Sequence, residues 1–381
     1  MRVSRYERLP EMGPKMLFFS GGSALNDFSK KLKHYTHNSI HLMTPFDSGG
    51  SSAVLRQAFD MPAIGDLRAR LMALADDSVR GLPDVFRLFS YRLSKTAPHP
   101  VLESQLLEMV EGNHPMVLAI SEPMRQLIRN QLQFFHHHKP DNFNLRGASI
   151  GNLILSGGYL NNAQHLDPII FLFSKLVEVQ GTVRLTVNDN YHLAVELANG
   201  ESIVGQHRMT GKENAPISSP IENMYLVDSL DNPKKVDSHI TDKHQKMIET
   251  ADLLCFPPGS FYSSVLANLL PKGVGSAIAK NSAPKVYIPS LGTDPEMLGK
   301  DLNKAIATIL HYIKRDLDYK VDSHNLLSHV LVDSQQKNQL GLDINFWSEQ
   351  GVQIVEADLV DETSSPYYQS EKLLQALLSF T

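Results

Sequence analysis

Three stretches of this chain set glycine and hydroxyl side chains directly after an apolar run. They are "SGGSALN" at 20–26, "TPFDSGGSS" at 44–52 and "PPGSFYSS" at 257–264. Glycine lets a backbone approach a ligand closely, and serine supplies hydrogen-bond donors. A helix beginning after such a loop offers unpaired N–H groups and a dipole favourable to anions. The chemistry suggested is the holding of a phosphorylated ligand. None of the three is a standard nucleotide loop. "GGSALND" lacks the Gly-Lys-Ser/Thr of a P-loop and is not Gly-x-Gly-x-x-Gly, so neither an ATPase nor a nicotinamide dehydrogenase is supported.

Asp47 is the carboxylate of most interest, because it stands just before the glycines of the second stretch. It could cap a helix, hold Mg²⁺ against phosphate oxygens, or accept a proton from an attacking hydroxyl. Asp66 in "AIGDLRARL" reads as a helix cap, and Ser51 or Ser52 could cap the helix before it. Arg56 and Arg68 could each grip a diphosphate through two parallel hydrogen bonds. "VNDN" at 187–190 offers Asn188 and Asn190 to a base or sugar, and a plain Asx turn explains it equally well. The triplet His136, His137 and His138 is read as a solvated helix end. Neighbouring side chains on a helix point about 100° apart and do not readily converge on one ion.

The elements that must position these residues follow an α/β grammar. Met16 to Phe19 is a short apolar strand, followed by a helical pattern with Leu25, Phe28 and Leu32 on one face. Ser39 to Met43 gives a second strand ending at the second glycine stretch. Strand, glycine turn and helix in repetition describe a parallel sheet with right-handed crossovers. Residues 66–146 then carry apolar positions at spacings of three and four, and are expected to be a helical insertion. At 182–210 the runs become β-rich around Asn199-Gly200, a hairpin signal. The α/β pattern resumes at "ADLLCFPPG" and continues through "KVYIPS", "HVLVDS" and "GVQIVEADL" to an amphipathic helix at 370–380. The expected fold is a Rossmann-like α/β unit, with a mostly parallel sheet and helices on both faces. One elaborated domain over 15–381 is expected.

Composition narrows the function further. With 36 basic and 41 acidic residues the net charge is -5, which gives no electrostatic footprint for nucleic acid. An anionic ligand must therefore be met by local donors. Cys255 is the single cysteine, so no internal disulfide forms, and its apolar surroundings suggest a small buried hydrophobe. The longest apolar stretch near the start is four residues, so neither a signal peptide nor a membrane span is expected, and a cytoplasmic protein is.

Taken together, "SGGSALNDF", "FDSGGSSAVLR", "GDLRARLMALAD", "LFSYRL", "GNLIL", "ADLLCFPPGSFYSSVLANLL" and "APKVYI" resemble the CofD-like family. The nearest likeness is to its gluconeogenesis-factor, YvcK-type branch. The resemblance runs in order over nearly the whole chain and implies a Rossmann-like core with a nucleotide-type ligand. One branch transfers a 2-phospho-L-lactate group from a nucleoside diphosphate to a deazaflavin alcohol with Mg²⁺. The other binds UDP-sugars and has a regulatory role in carbon metabolism and cell shape. Carried over by motif, Gly21, Gly22 and Ser23 belong to the first loop, and Asp47, Gly49, Gly50, Ser51 and Ser52 to the second. Pro258, Gly259, Ser260 and Tyr262 belong to the third. Asn26, Arg56, Asp66, Arg68, Asn152, Asn188, Asn190 and Ser264 complete the candidate ligand-binding set, with Asp47 as the metal or catalytic position.

Two departures matter. Ser23-Ala24 stands where the branch usually has Thr-Gly, and Phe46-Asp47-Ser48 where an Asp-Asp pair is common. One carboxylate fewer favours binding over transfer. The expectation is a binder of a nucleoside diphosphate, of UDP-sugar type, with a regulatory role. A Mg²⁺-dependent transferase and a scaffold without ligand remain the alternatives, and a homodimer is left open.

Overall fold

The computed structural model describes residues 2–76, 82–211, 215–335 and 341–381. Residues 77–81 of the expected helical insertion lie outside them. The chain forms two compact units. The first comprises Met1–Asp47, Gly181–Val187 and Tyr191–Thr381, and the second Ser48–Gln180 and Asn188–Asn190.

The first unit carries the strands found among the described residues. In chain order these are β1 (Met16–Ser20), β2 (Ile40–Met43), β3 (Thr182–Leu185), β4 (His192–Leu197), β5 (Ser202–Val204), β6 (Ile221–Val227), β7 (Lys235–Val236), β8 (Leu253–Phe256), β9 (Lys285–Tyr287), β10 (His329–Asp333) and β11 (Gln353–Ala357). Seven form a parallel sheet in the order β11-β10-β9-β8-β1-β2-β3. β1 is buried throughout, as a parallel strand covered on both faces must be. Its alternate residues serve two cores, because successive side chains point to opposite faces. Leu17 and Phe19 join a core with Ala277 and Ile306 from the helices Val274–Lys280 and Leu302–Lys314. Met16 and Phe18 join another with Phe28, Leu32, Leu374 and Leu377 from the helices Asn26–Leu32 and Ser370–Leu378. Helices therefore cover both faces of the sheet. Cys255 in β8 is fully buried, and that burial pushes its thiol pKa up.

The β-rich run beginning at Thr182 divides between two sheets. Its first strand, β3, is the edge of the parallel sheet beside β2. The hairpin is β4 and β5, closed over Asn199-Gly200, where Gly200 takes φ +85° and donates its N–H to the Leu197 carbonyl at 2.9 Å. β4 is not an edge, because β6 pairs along its other side and extends the hairpin to a sheet ordered β5-β4-β6-β7.

The second unit is helical. Its helix Ile150–Asn161 is buried from Ile150 to Tyr159, in keeping with a sequence apolar on all sides. Two glycines in its middle permit close packing. A Cβ on Gly157 would lie 1.8 Å from the Gln131 carbonyl oxygen of the helix Met124–His138. One on Gly158 would lie 2.1 Å from Ile169 Cγ1 of the helix Asp167–Leu176. No helix of the described residues is long and apolar enough to cross a membrane.

Two cap expectations are corrected. Gly49 holds the cap position of the helix Gly50–Phe59, so Ser51 and Ser52 fall inside its first turn. Ile64 precedes the helix Gly65–Ala73, so Asp66 also lies within a first turn, where a negative charge still complements the dipole. Gly65 starts its helix close enough to Ser52 that a Cβ would sit 2.9 Å from its hydroxyl, so a larger residue there would crowd Ser52.

Candidate functional site

In an open parallel sheet, ligands bind beyond the carboxyl ends of the strands where the strand order reverses. Here that point lies at β1. The chain moves outward through β2 and β3 on one side, and from β8 through β9, β10 and β11 on the other. The loops following β1 and β8 are the first and third glycine-serine stretches. Ser23, Ala24, Pro258, Gly259 and Ser260 line one cleft of about 520 Å³, together with Ser290, Gly292 and Asp294. Gly21 is required beneath it, since a Cβ there would meet Thr44 Oγ1 at 2.8 Å and Ser264 Oγ at 3.1 Å. Gly22 adopts φ +62°.

Beneath these loops lies an amide that the sequence reading missed. Asn268 is fully buried and donates from Nδ2 to the carbonyls of Ser20 at 3.1 Å and Ser264 at 2.8 Å. It also pairs with the Thr186 hydroxyl, which donates to the Met43 carbonyl at 3.3 Å. One side chain thus ties the ends of β1, β2 and β3 to the third loop. A lone amide inside the apolar "VLANLL" was the available signal.

Backbone N–H groups of the third loop are already occupied. Phe261 donates to Asp294 Oδ2 at 2.7 Å, and Tyr262 and Ser263 both donate to Glu296 Oε2 at 2.8 Å. The Ser263 hydroxyl donates to Glu296 Oε1 at 2.5 Å. Gly259 exchanges hydrogen bonds with the Ser290 hydroxyl, both at 2.8 Å. Glu296 is fully buried. Its burial and the nearby Asp294 charge raise its pKa, against the pull of the hydrogen bonds it accepts. Tyr262 is likewise buried, with its hydroxyl donated to the Ile221 carbonyl at 3.1 Å. The ligand-facing part of this loop is therefore 258–260.

A different environment surrounds the residues of the second stretch that belong to the helical unit. Gly50, Ser51 and Asn152 line a cavity of about 440 Å³ together with the side chains of Arg92, Lys95 and Arg146. Arg68 packs nearby: a Cβ on Gly151 would lie 2.8 Å from its Cδ. Burial, with Arg92 adding like-charge repulsion, lowers the Arg68 pKa to about 10, while Asp66 opposes the shift. Arg68 Nε, Ser149 Oγ and Asn152 Oδ1 are buried without a hydrogen-bond partner.

The remaining candidates are placed as follows. Arg56 is 4% exposed and donates from Nε to Asn190 Oδ1 at 2.8 Å, while Asn190 Nδ2 donates to Asp60 Oδ1. Asn188 is exposed and Asp47 half-buried. Gly49, Ser52, Asn26, Asp66 and Ser264 are not among the residues lining either space. No group of three or more His, Cys, Asp or Glu side chains among the described residues could hold a metal ion. At the end of the histidine triplet, His138 stacks on Phe134 at 5.8 Å, and its Nδ1 lies 2.8 Å from the Phe134 carbonyl oxygen.

A parallel sheet with helices on both faces and its glycine-serine loops at the switch point defines a Rossmann-like α/β protein. The chain belongs to the CofD family, whose model, described as 2-phospho-L-lactate transferase CofD, matches residues 16–366. It is 26% identical over 372 residues to a putative gluconeogenesis factor of Thermoanaerobacterium thermosulfurigenes, covering 96% of each chain. It is also 26% identical over 325 residues to the gluconeogenesis factor of Bacillus subtilis, covering 84% of this chain and 79% of that one. A crystal structure of a UPF0052-family protein from Bacillus halodurans shares the fold. Its TM-score is 0.67 at 22% identity, covering 96% of this chain and 99% of that one.

Proposed function

We propose that this CofD-family chain binds a nucleoside-diphosphate ligand, of UDP-sugar type, and acts as a regulator of carbon or cell-envelope metabolism. The observation that carries the reading is the cleft at the switch point, where Ser23, Gly259 and Ser260 converge from two loops. Its serine hydroxyls are neutral donors, the carboxylates of Asp27 and Asp294 and no basic side chain stand in its lining, and its volume of about 520 Å³ falls within the usual range for small-molecule sites. The relatives' names, which state a role in gluconeogenesis and not a reaction, favour regulation. Such a ligand suits a cytoplasmic protein. Mg²⁺ enters this reading only as an ion carried by the ligand's phosphates, with Asp47 as its candidate protein contact. The transferase alternative draws on the family model's description.

Calorimetry of the full chain against UDP-N-acetylglucosamine, UDP and GDP, with and without Mg²⁺, tests the proposal. UDP-N-acetylglucosamine is expected to bind, and Ser260→Trp, which fills the cleft, to weaken it at least about tenfold. No binding by any of the three in the presence of Mg²⁺ would sink the reading. Release of a nucleotide product on adding an alcohol acceptor would replace regulation with transfer.

A further inference from the structure

We propose that the cavity of the helical unit is a separate anion site, built to take the phosphoryl group of a ligand whose remaining part is apolar. The charge is one-sided. Arg92, Lys95 and Arg146 line the cavity, and no carboxylate does. Among the described residues none of these three makes an ion pair. Like charges held together repel one another, as Arg92 does Arg68 against the opposing pull of Asp66. A bound anion relieves that repulsion.

The backbone supplies the same sign. The helices Gly50–Phe59 and Ile150–Asn161 both begin at this cavity, which Gly50 and Ser51 line from one and Ser149 and Asn152 from the other. Two helix starts bring their positive dipole ends to the cavity, which suits an anion, although the Ile150 N–H itself donates to the Tyr91 carbonyl at 3.0 Å. Independently, Ser149 and Asn152, at 1% and 2% exposure, hold Oγ and Oδ1 without any hydrogen-bond partner. Buried polar atoms are nearly always paired, so the isolated Ser149 hydroxyl beside a cavity points to a missing acceptor, while Asn152 Oδ1 can only accept and would face a donor of the ligand. The Ser149 hydroxyl can donate to a phosphoryl oxygen. Val54, Leu55 and Phe143 form the apolar part of the wall, which decides the second half of the ligand. The proposal stands on the helical unit alone and does not depend on the nucleotide reading of the sheet.

The test is calorimetry of the full chain with inorganic pyrophosphate at low and moderate salt. The wild type is expected to bind, with affinity falling as salt rises. The double variant Arg92→Ser/Lys95→Ser removes two exposed charges and is expected to lose about a hundredfold in affinity, roughly tenfold for each charge-assisted contact. As a control, Arg87→Ser/Lys175→Ser removes two cations of the same unit away from the cavity and should change affinity less than about twofold. No pyrophosphate binding by the wild type would overturn the proposal. So would equal losses in the two double variants, which would reveal general attraction to surface charge. Pyrophosphate binding without nucleotide binding would remove the reading of the cleft and leave this one standing. Nucleotide binding without pyrophosphate binding would do the reverse.

Discussion

The loop after β8 and the start of the helix Gly50–Phe59 look alike in sequence, each a glycine-serine run leading into a helical segment. Their surroundings are opposite. The first has its N–H groups closed by Asp294 and Glu296, two acids built into the fold. The second opens on a cavity walled by Arg92, Lys95 and Arg146. A helix start is thus an anion site only where the chain has not supplied the anion itself. The carboxylates organise the switch-point loop and leave its ligand-facing tip neutral, while the cavity of the helical unit is lined by three cations and no carboxylate.

The most severe way to break this contrast is Glu296→Ala. It strips acceptors from the Tyr262 and Ser263 N–H groups and the Ser263 hydroxyl inside the core. A loss of about 3 kcal/mol is expected in chemical denaturation, from buried donors left unsatisfied. A loss below about 1 kcal/mol would mean that the acid does not organise the loop. Gly157→Ala comes next and strikes the helical unit. The added methyl overlaps the Gln131 carbonyl, forces apart the helices Met124–His138 and Ile150–Asn161, and should cost about 2 kcal/mol. Pyrophosphate affinity is expected to fall with it, because that second helix carries Ser149 and Asn152.

Glu296→Gln sharpens the contrast with the smallest change. One amide oxygen can still accept from both N–H groups, so folding should be nearly unaffected. The pH response should differ. A carboxyl whose folded pKa is raised stabilises the fold most below its unfolded pKa. It loses that contribution as the pH rises through the folded value. The wild type should therefore lose stability from the usual carboxylate range towards neutrality, and Glu296→Gln should show a flatter melting-temperature profile over the same interval. Identical profiles would show that Glu296 does not titrate there.

Much of the frame was legible because local signals agreed with tertiary ones. The runs at Met16 and Leu253 are apolar throughout, which is what strands covered on both faces need. The helices of 83–138 were visible from spacing alone. β3 was harder, because Thr182–Leu185 runs straight into hairpin residues and only its pairing with β2 shows which sheet it joins. The polarity of the two loops was not legible. Asp294 and Glu296 act on N–H groups more than thirty residues earlier, and "TDPEM" reads as an ordinary turn. Arg92, Lys95 and Arg146 lie in two separate connections between helices, 91–98 and 139–149, where basic residues usually face solvent. Their shared cavity follows from packing, such as the bridge pairing Arg92 with Ser149, that no short window contains.

The burial of Cys255 has a practical consequence. It is the single thiol in the sequence, fully covered in β8, and burial disfavours the thiolate that alkylating reagents attack. The native chain is therefore a silent background for single-site chemistry. An Asn144→Cys substitution would create one exposed reactive position in the lining of the basic cavity and leave its three cations in place, where a fluorophore could report on each ligand as it arrives.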